Sequence, residues 1–77
     1  MNEGELYETL SALVVSGEEL ASERMAMSAS IDEVEAKLSE IRDARAMLRR
    51  GGLRALRAMM QRGRASRSLR TFLEKVL

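Results

Sequence analysis

The sequence predicts an all-α protein in which two longer antiparallel helices and a short C-terminal helix form a helical-bundle dimer. Residues with high helix propensity dominate the 77-residue chain, which has no proline and only two aromatic residues. Apolar residues also recur every seven positions, as they do in helices that pack at coiled-coil angles. So short a chain buries only a modest core, and it has no cysteine or histidine for disulfides or the usual zinc sites. We therefore expect oligomerisation to complete the core, without a metal or a cofactor.

The first half of the chain predicts one helix, a turn and the start of a second helix. The first helix is expected at about 4–27 and the turn near 28–30. Ser30 and Glu33 fit a capping box, in which the hydroxyl and the carboxylate each accept a hydrogen bond from a backbone N–H. The second helix is therefore expected to begin at about residue 31.

Glycines interrupt the helical pattern in the second half of the chain. The second helix is predicted to reach about residue 62. Two adjacent glycines at 51–52 destabilise a helix interior, so they either end the helix there, kink it or allow a neighbouring backbone to approach closely, and the sequence does not decide among these. Gly63 ends the apolar pattern of this helix. Ser66 or Ser68 then caps a third helix at about 67–77, which completes a single domain over residues 1–77.

One seven-residue series of apolar side chains predicts the seam through which the helices pack and the protein dimerises. Its members are Leu6, Leu13, Leu20, Met27, Val34, Ile41 and Leu48. A hairpin of two short helices can bury such a series only in part, so we expect two copies to share it.

The charge of the chain changes sign near residue 40. Residues 1–40 contain ten acids and two bases, a net charge of −8, whereas residues 41–77 contain eleven bases and two acids, a net charge of +9. Ten of those eleven bases are arginines, whose planar guanidinium matches phosphate in two-point contact better than lysine does. The basic half therefore predicts binding to an anionic partner.

Helical spacing places many of these arginines in rows on the second helix. If the helix continued through the glycines, Arg50, Arg54, Arg57, Gln61 and Arg64 would line one face. The predicted nucleic-acid-binding residues are Arg42, Arg45, Arg49, Arg50, Arg54, Arg57 and Arg64. We expect them to contact phosphates and sugars without reading base sequence, and duplex RNA is favoured because stacking aromatics for single strands are missing.

A protein-interaction module, or a small helical chaperone or regulator, is the alternative interpretation. In an antiparallel hairpin Glu8 would lie near Arg50, and Glu5 would lie near Leu53 and Arg54. The acidic half would then neutralise the basic half within the fold, across a dimer, or against an acidic surface of a partner protein. The basic amphipathic residues 53–77 also suit an anionic membrane surface, which we rank below both interpretations.

The layout resembles that of the small nodavirus suppressors of RNA silencing. The similarity covers most of the chain and consists of its size, two longer helices followed by a short one, and arginines from Arg42 to Arg64 on the second helix. The resemblance implies a dimeric helical bundle that lays basic helices along double-stranded RNA, and therefore RNA-silencing suppression. Small bacterial helical-hairpin chaperones and regulators share the same layout.

Other functions are disfavoured by the residues that the chain lacks. Without histidine, cysteine or a glycine-rich phosphate loop, we expect no enzymatic activity. The acidic N-terminus does not fit a signal peptide, and no apolar run approaches the roughly 20 residues of a membrane span. A soluble cytoplasmic or nuclear protein that is not secreted is therefore expected.

Overall fold

The computed structural model describes residues 2–77 and shows three α-helices, with no strand among these residues. They are α1 (Glu3–Ala26), α2 (Asp32–Gln61) and α3 (Arg67–Val76). The prediction of an all-helical chain with two longer helices packed together is confirmed. The helix bounds lie within one residue of the predicted ones, and the folded chain measures 40 × 23 × 21 Å.

Both ends of α1 are closed by local hydrogen bonds. At its start the Glu5 N–H donates to Asn2 Oδ1 at 2.8 Å, and the Asn2 N–H donates to Glu5 Oε1 at 3.3 Å, which is a complete capping box. At its end the N–H groups of Ser28 and Ala29 donate to the carbonyls of Met25 and Arg24. This is a Schellman motif, with Ser28 in the left-handed region at φ 57°.

The start of α2 differs from the prediction. The N-cap residue is Ile31, and no side chain caps this end, so the predicted capping box between Ser30 and Glu33 is wrong. Because α2 begins one residue later, Ser30 precedes the N-cap, and its carbonyl accepts a hydrogen bond from Arg24 Nη1 at 3.3 Å. Glu33 instead pairs with Lys37 at 3.8 Å. The negative charges of Asp32, Glu33 and Glu35 in the first turn are stabilised by the positive end of the helix dipole.

A sharp bend at Gly52 divides α2 into residues 32–51 and residues 53–61. Gly52 has φ 70° and ψ −165°, a backbone conformation that is essentially restricted to glycine. A straight helix of 30 residues would be about 45 Å long, whereas the longest dimension of the protein is 40 Å. The bend is one of the outcomes expected at the adjacent glycines, and it folds the end of α2 back toward its own earlier turns.

The end of α2 and the start of α3 are also fixed locally. Gly63, at φ 71°, donates its N–H to the Met60 carbonyl, and the following N–H reaches the Met59 carbonyl, which forms a second Schellman motif. Ser66 is the N-cap of α3 and accepts from the Leu69 N–H at 3.3 Å, as one of the two predicted caps.

The main core lies at the end of the bundle where α2 bends. Its buried side chains are Leu6, Leu10, Ala44, Leu48, Leu56, Met59, Leu69 and Leu73. They come from all three helices and from both sides of the bend. A smaller cluster of Val14, Val34 and Leu38 lies toward the α1–α2 turn. There the helices approach so closely that a Cβ at Gly17 would lie 2.5 Å from Leu38 Cδ2, so glycine permits this packing.

The predicted seam is divided between the core and the surface. Leu6, Val34 and Leu48 are buried within the chain, and Ile41 is half-buried. The remaining members are exposed: 36% for Leu13, 43% for Leu20 and 78% for Met27. On α1 the buried face continues instead from Leu6 through Leu10 and Val14 at a spacing of four, because a straight helix drifts by about 20° per seven residues.

Candidate nucleic-acid interface

Two of the seven predicted phosphate-binding arginines contact side chains of α1. Arg42 Nη2 lies 3.3 Å from Glu18 Oε2, and both side chains are about half exposed, at 48% and 55%. Arg45 is half-buried, and its Nη1 donates to Ser11 Oγ at 3.5 Å. Exposed ion pairs contribute only about 0–1 kcal/mol, so the Arg42 pair acts chiefly on the alignment of the two helices.

The other five predicted arginines are exposed and form no ion pair with any residue between 2 and 77. They are Arg49, Arg50, Arg54, Arg57 and Arg64. No ion pair joins Glu8 to Arg50 or Glu5 to Arg54 within the described chain, and Glu5 instead completes the cap of α1. At this end of the bundle the guanidinium groups therefore face solvent and are not neutralised by direct contact with α1.

The bend at Gly52 prevents the single straight row of arginines that a continuous helix would present. Arg50 and Arg64 line one concave surface of about 400 Å³, whose other wall includes Glu40 and Asp43. Arg57 lines a separate concave surface of about 410 Å³, together with Gln61, Arg70 and Glu74. The row that a continuous helix would present therefore does not form, because residues 53–61 do not continue the axis of residues 32–51.

Two further arginines, Arg62 and Arg67, are also exposed. Arg62 shares a hollow of about 230 Å³ beside Met47 with Arg64, and Arg67 lies at the start of α3. Neither Arg62 nor Arg67 was among the predicted binding residues, although both lie in the arginine-rich half of the sequence. Arg70 differs from them, because its Nη2 donates to the Met60 carbonyl at 2.8 Å and so ties α3 to the end of α2.

We define the arginine surface as the seven exposed arginines without an ion pair in the described chain. They are Arg49, Arg50, Arg54, Arg57, Arg62, Arg64 and Arg67. This surface is carried by α2, α3 and the turn between them, and at Arg64 it reaches back beside Glu40 and Asp43. Such an array can hold several phosphates by charge and by two-point hydrogen bonds.

A second surface feature, which we call the lateral groove, runs between α1 and α2. Its floor and walls include Leu13 and Leu20 from α1, and Leu38 and Ile41 from α2, around a volume of about 330 Å³. A smaller hollow of about 130 Å³ continues it to Phe72 of α3, because Leu13, Lys37 and Ile41 line both spaces. The exposed seam residues Leu13 and Leu20 thus lie in one apolar depression.

Comparisons with protein-family models, curated proteins and solved structures give no match to this chain. Across residues 2–77, no helix combines the length and the apolar character that crossing a bilayer requires. The arginine surface and the lateral groove are the two surface features that indicate a function.

Proposed function

We propose that this protein is a homodimer that binds nucleic acid independently of sequence, with duplex RNA as the favoured ligand. The observation that carries the proposal is the arginine surface, which leaves seven exposed guanidinium groups without an ion pair in the described chain. Each arginine that neutralises a phosphate releases counterions, which provides affinity without any contact to a base. The exposure of Leu13, Leu20 and Met27 supports the dimer, because exposed apolar side chains favour association.

Duplex RNA is favoured over single strands because the chain offers no stacking platform. Both aromatic residues, Tyr7 and Phe72, are half-buried and pack against the main core. Proteins that bind single strands usually stack successive bases on exposed aromatic rings, whereas duplex RNA is recognised through its phosphates and 2′-hydroxyls. The layout shared with the nodavirus suppressors extends the proposal to suppression of RNA silencing.

The test compares two substitutions that remove the same charge from α2. Arg54→Gln removes an exposed guanidinium of the arginine surface, whereas Arg42→Gln removes one that Glu18 already neutralises. Binding to a duplex RNA of roughly 20 base pairs, longer than the roughly 16 that a double-stranded-RNA-binding domain spans, is measured by gel shift across a salt series. Arg54→Gln should weaken binding and reduce the logarithmic salt slope by roughly one for each phosphate that is no longer neutralised.

The control should behave differently. Arg42→Gln should retain most of the affinity and the salt slope of the unmodified protein, and circular dichroism should show that both variants stay helical. Equal effects of the two substitutions would indicate a response to net charge alone. Absence of binding to duplex RNA, duplex DNA and single strands at low salt would eliminate the proposal.

The ion pair between Arg42 and Glu18 favours one second candidate, a protein-interaction module or small helical regulator whose acidic and basic halves pair with each other or with a partner helix. That contact is a direct pairing of the two halves across the hairpin. In this case Arg42→Gln would lower stability or change assembly, and exchanging the two charges by Arg42→Glu together with Glu18→Arg would restore it. Reduced stability without any nucleic-acid binding would decide for this candidate.

A further inference from the structure

The concave surface that Arg57 shares with α3 collects hydrogen-bond donors from two helices. Arg57 and Gln61 are four residues apart on α2, so they lie on the same face of that helix. Arg70 of α3 lines the same surface, which encloses about 410 Å³. Two guanidinium groups and one side-chain amide therefore border one depression, which we call the α2–α3 pocket.

Arg70 is the member of this set that the fold holds in place. It is half-buried, and its Nη2 donates to the Met60 carbonyl at 2.8 Å. That hydrogen bond uses only part of the donor capacity of the guanidinium and leaves its other N–H groups available. A side chain that is already ordered loses less conformational entropy when a ligand binds, so Arg70 is prepared for an anion before one arrives.

One side-chain carboxylate shares the pocket. Glu74 lies on α3 four residues after Arg70, yet it forms no ion pair with Arg57 or Arg70 within residues 2–77. Two charged guanidinium groups and one ionised carboxylate leave a net positive charge among the side chains of the wall. The half-buried Met60 and Leu77 add an apolar part to the same wall. The pocket thus combines unpaired positive charge with an apolar surface.

We propose that the α2–α3 pocket binds a phosphate monoester, namely the phosphate at a strand end of the RNA duplex. This inference deepens the proposed function and rests on it, because Arg57 also belongs to the arginine surface that would hold the duplex. Arg57 and Arg70 would each donate charge-assisted hydrogen bonds to phosphate oxygens. The amide of Gln61 would donate a further hydrogen bond.

A monoester suits the pocket better than a phosphate inside a strand does. A monoester carries a charge of about −1.5 to −2 near neutral pH and offers three acceptor oxygens, whereas an internal phosphate carries a single charge and is bonded to sugars on both sides. Two guanidinium groups match the larger charge, and donors from two helices can reach several oxygens at once. The volume also lies within the range of roughly 300–1,000 Å³ that is typical of small-ligand sites, so the terminal sugar fits beside the phosphate.

Duplexes that differ only at their ends test the proposal. Gel shifts compare one duplex RNA of about 20 base pairs that carries either phosphates or hydroxyl groups at its 5′ ends. The phosphorylated duplex should bind roughly tenfold more tightly, as expected for charge-assisted hydrogen bonds to an additional phosphate. Equal affinities would overturn the inference while leaving the binding of duplex RNA intact.

A matched pair of substitutions separates the pocket from a general attraction of charge. Arg57→Gln and Arg54→Gln each remove one exposed guanidinium from α2, but only Arg57 lines the pocket. Both variants should bind duplex RNA more weakly, whereas only Arg57→Gln should lose most of the preference for phosphorylated ends. A preference that falls equally in both variants would overturn the inference, because it would then reflect net charge alone.

Glu74→Gln tests the pocket in the opposite direction. This substitution removes the carboxylate from an exposed position of α3 and leaves both guanidinium groups in place. The preference for phosphorylated ends should increase, because the phosphate no longer approaches a like charge. A reduced preference would contradict the assignment of the pocket to an anion.

Adenosine 5′-monophosphate measures the pocket without any duplex. At millimolar concentration it should shift the nuclear magnetic resonance signals of the Arg57 and Arg70 guanidinium groups, and adenosine, which lacks the phosphate, should not. Absence of these shifts would overturn the inference. Shifts in a protein that binds no duplex would identify a free nucleotide as the source of the phosphate and would overturn the assignment to a strand end, so failure of the pocket is distinguishable from failure of the proposed function.

Discussion

At the scale of single residues, the turn between α1 and α2 depends on Ser28. Its φ of 57° is the only positive φ among the non-glycine residues from 2 to 77. A side chain in this region places Cβ close to a carbonyl oxygen, which costs about 1–2 kcal/mol. The turn keeps this conformation because the N–H groups of Ser28 and Ala29 close the end of α1 through the Schellman motif.

Ser28→Gly should therefore stabilise the protein by about 0.5–1 kcal/mol, because glycine adopts the left-handed conformation freely but loses more entropy on folding. Ser30→Gly, in the same turn but without a positive φ, should give no gain. Urea unfolding at one fixed protein concentration measures both, since the stability of a dimer depends on concentration. An unchanged or lowered midpoint for Ser28→Gly would show that the left-handed conformation costs nothing here.

At the scale of the elements, the bend in α2 decides which side chains share the core. Leu48 precedes the bend and Leu56 follows it, yet both are buried in the main core. The backbone conformation restricts Gly52 to glycine, because its φ of 70° with ψ of −165° is a glycine conformation. A Cβ there would also approach Glu3 Oε1 at 2.7 Å, but this atom is the end of an exposed side chain that can move away.

Gly52→Ala should destabilise the fold by about 1–3 kcal/mol through backbone strain. Gly63→Ala is the matched control, because Gly63 also has a positive φ, 71°, but follows the end of α2 and does not bend it. The control should cost about 1 kcal/mol, the usual cost of the left-handed conformation. Chemical unfolding of both variants compares these costs, and equal decreases in stability would contradict the role assigned to the bend.

For the whole molecule, the acidic and basic halves of the sequence remain largely unpaired. Within the described residues only one ion pair, between Arg42 and Glu18, joins the two long helices. The two halves do not lie at opposite ends, since Arg50 and Arg64 line the same hollow as Glu40 and Asp43. The arginine surface is nevertheless exposed without an ion pair in the described chain, which supports the proposed nucleic-acid binding.

The whole-molecule geometry predicts a minimum duplex length. Two arginine surfaces, one on each protomer of the proposed dimer, would span about one helical turn of duplex RNA or more. Affinity for duplex RNA should be nearly independent of sequence, should fall once the duplex is shorter than that span, and should be weaker for duplex DNA and weakest for single strands. Gel shifts with a series of duplex lengths test this, and a clear preference for one base sequence would contradict it.

Local interactions explain why the helices could be predicted from the sequence. The helix bounds, the bend at 51–52, the end at Gly63 and the Ser66 cap follow from residues within a few positions of one another. The sequence also locates the arginine-rich half, which contains every member of the arginine surface. The wrong prediction of a capping box at Ser30 is also a local error. α2 begins one residue later than predicted, so Ser30 is not its N-cap.

The sequence by itself therefore determined the helices, their order and the separation of charge along the chain. Long-range packing instead decides which seam residues are buried, that Arg42 and Arg45 contact α1, and that the other predicted arginines are exposed without an ion pair in the described chain. These outcomes depend on how the helices are rotated against one another, which is set by the close approach at Gly17 and the backbone angles of Gly52. Such contacts join residues far apart in the chain, and a seven-residue period does not distinguish a side chain that faces its own core from one that faces a second copy.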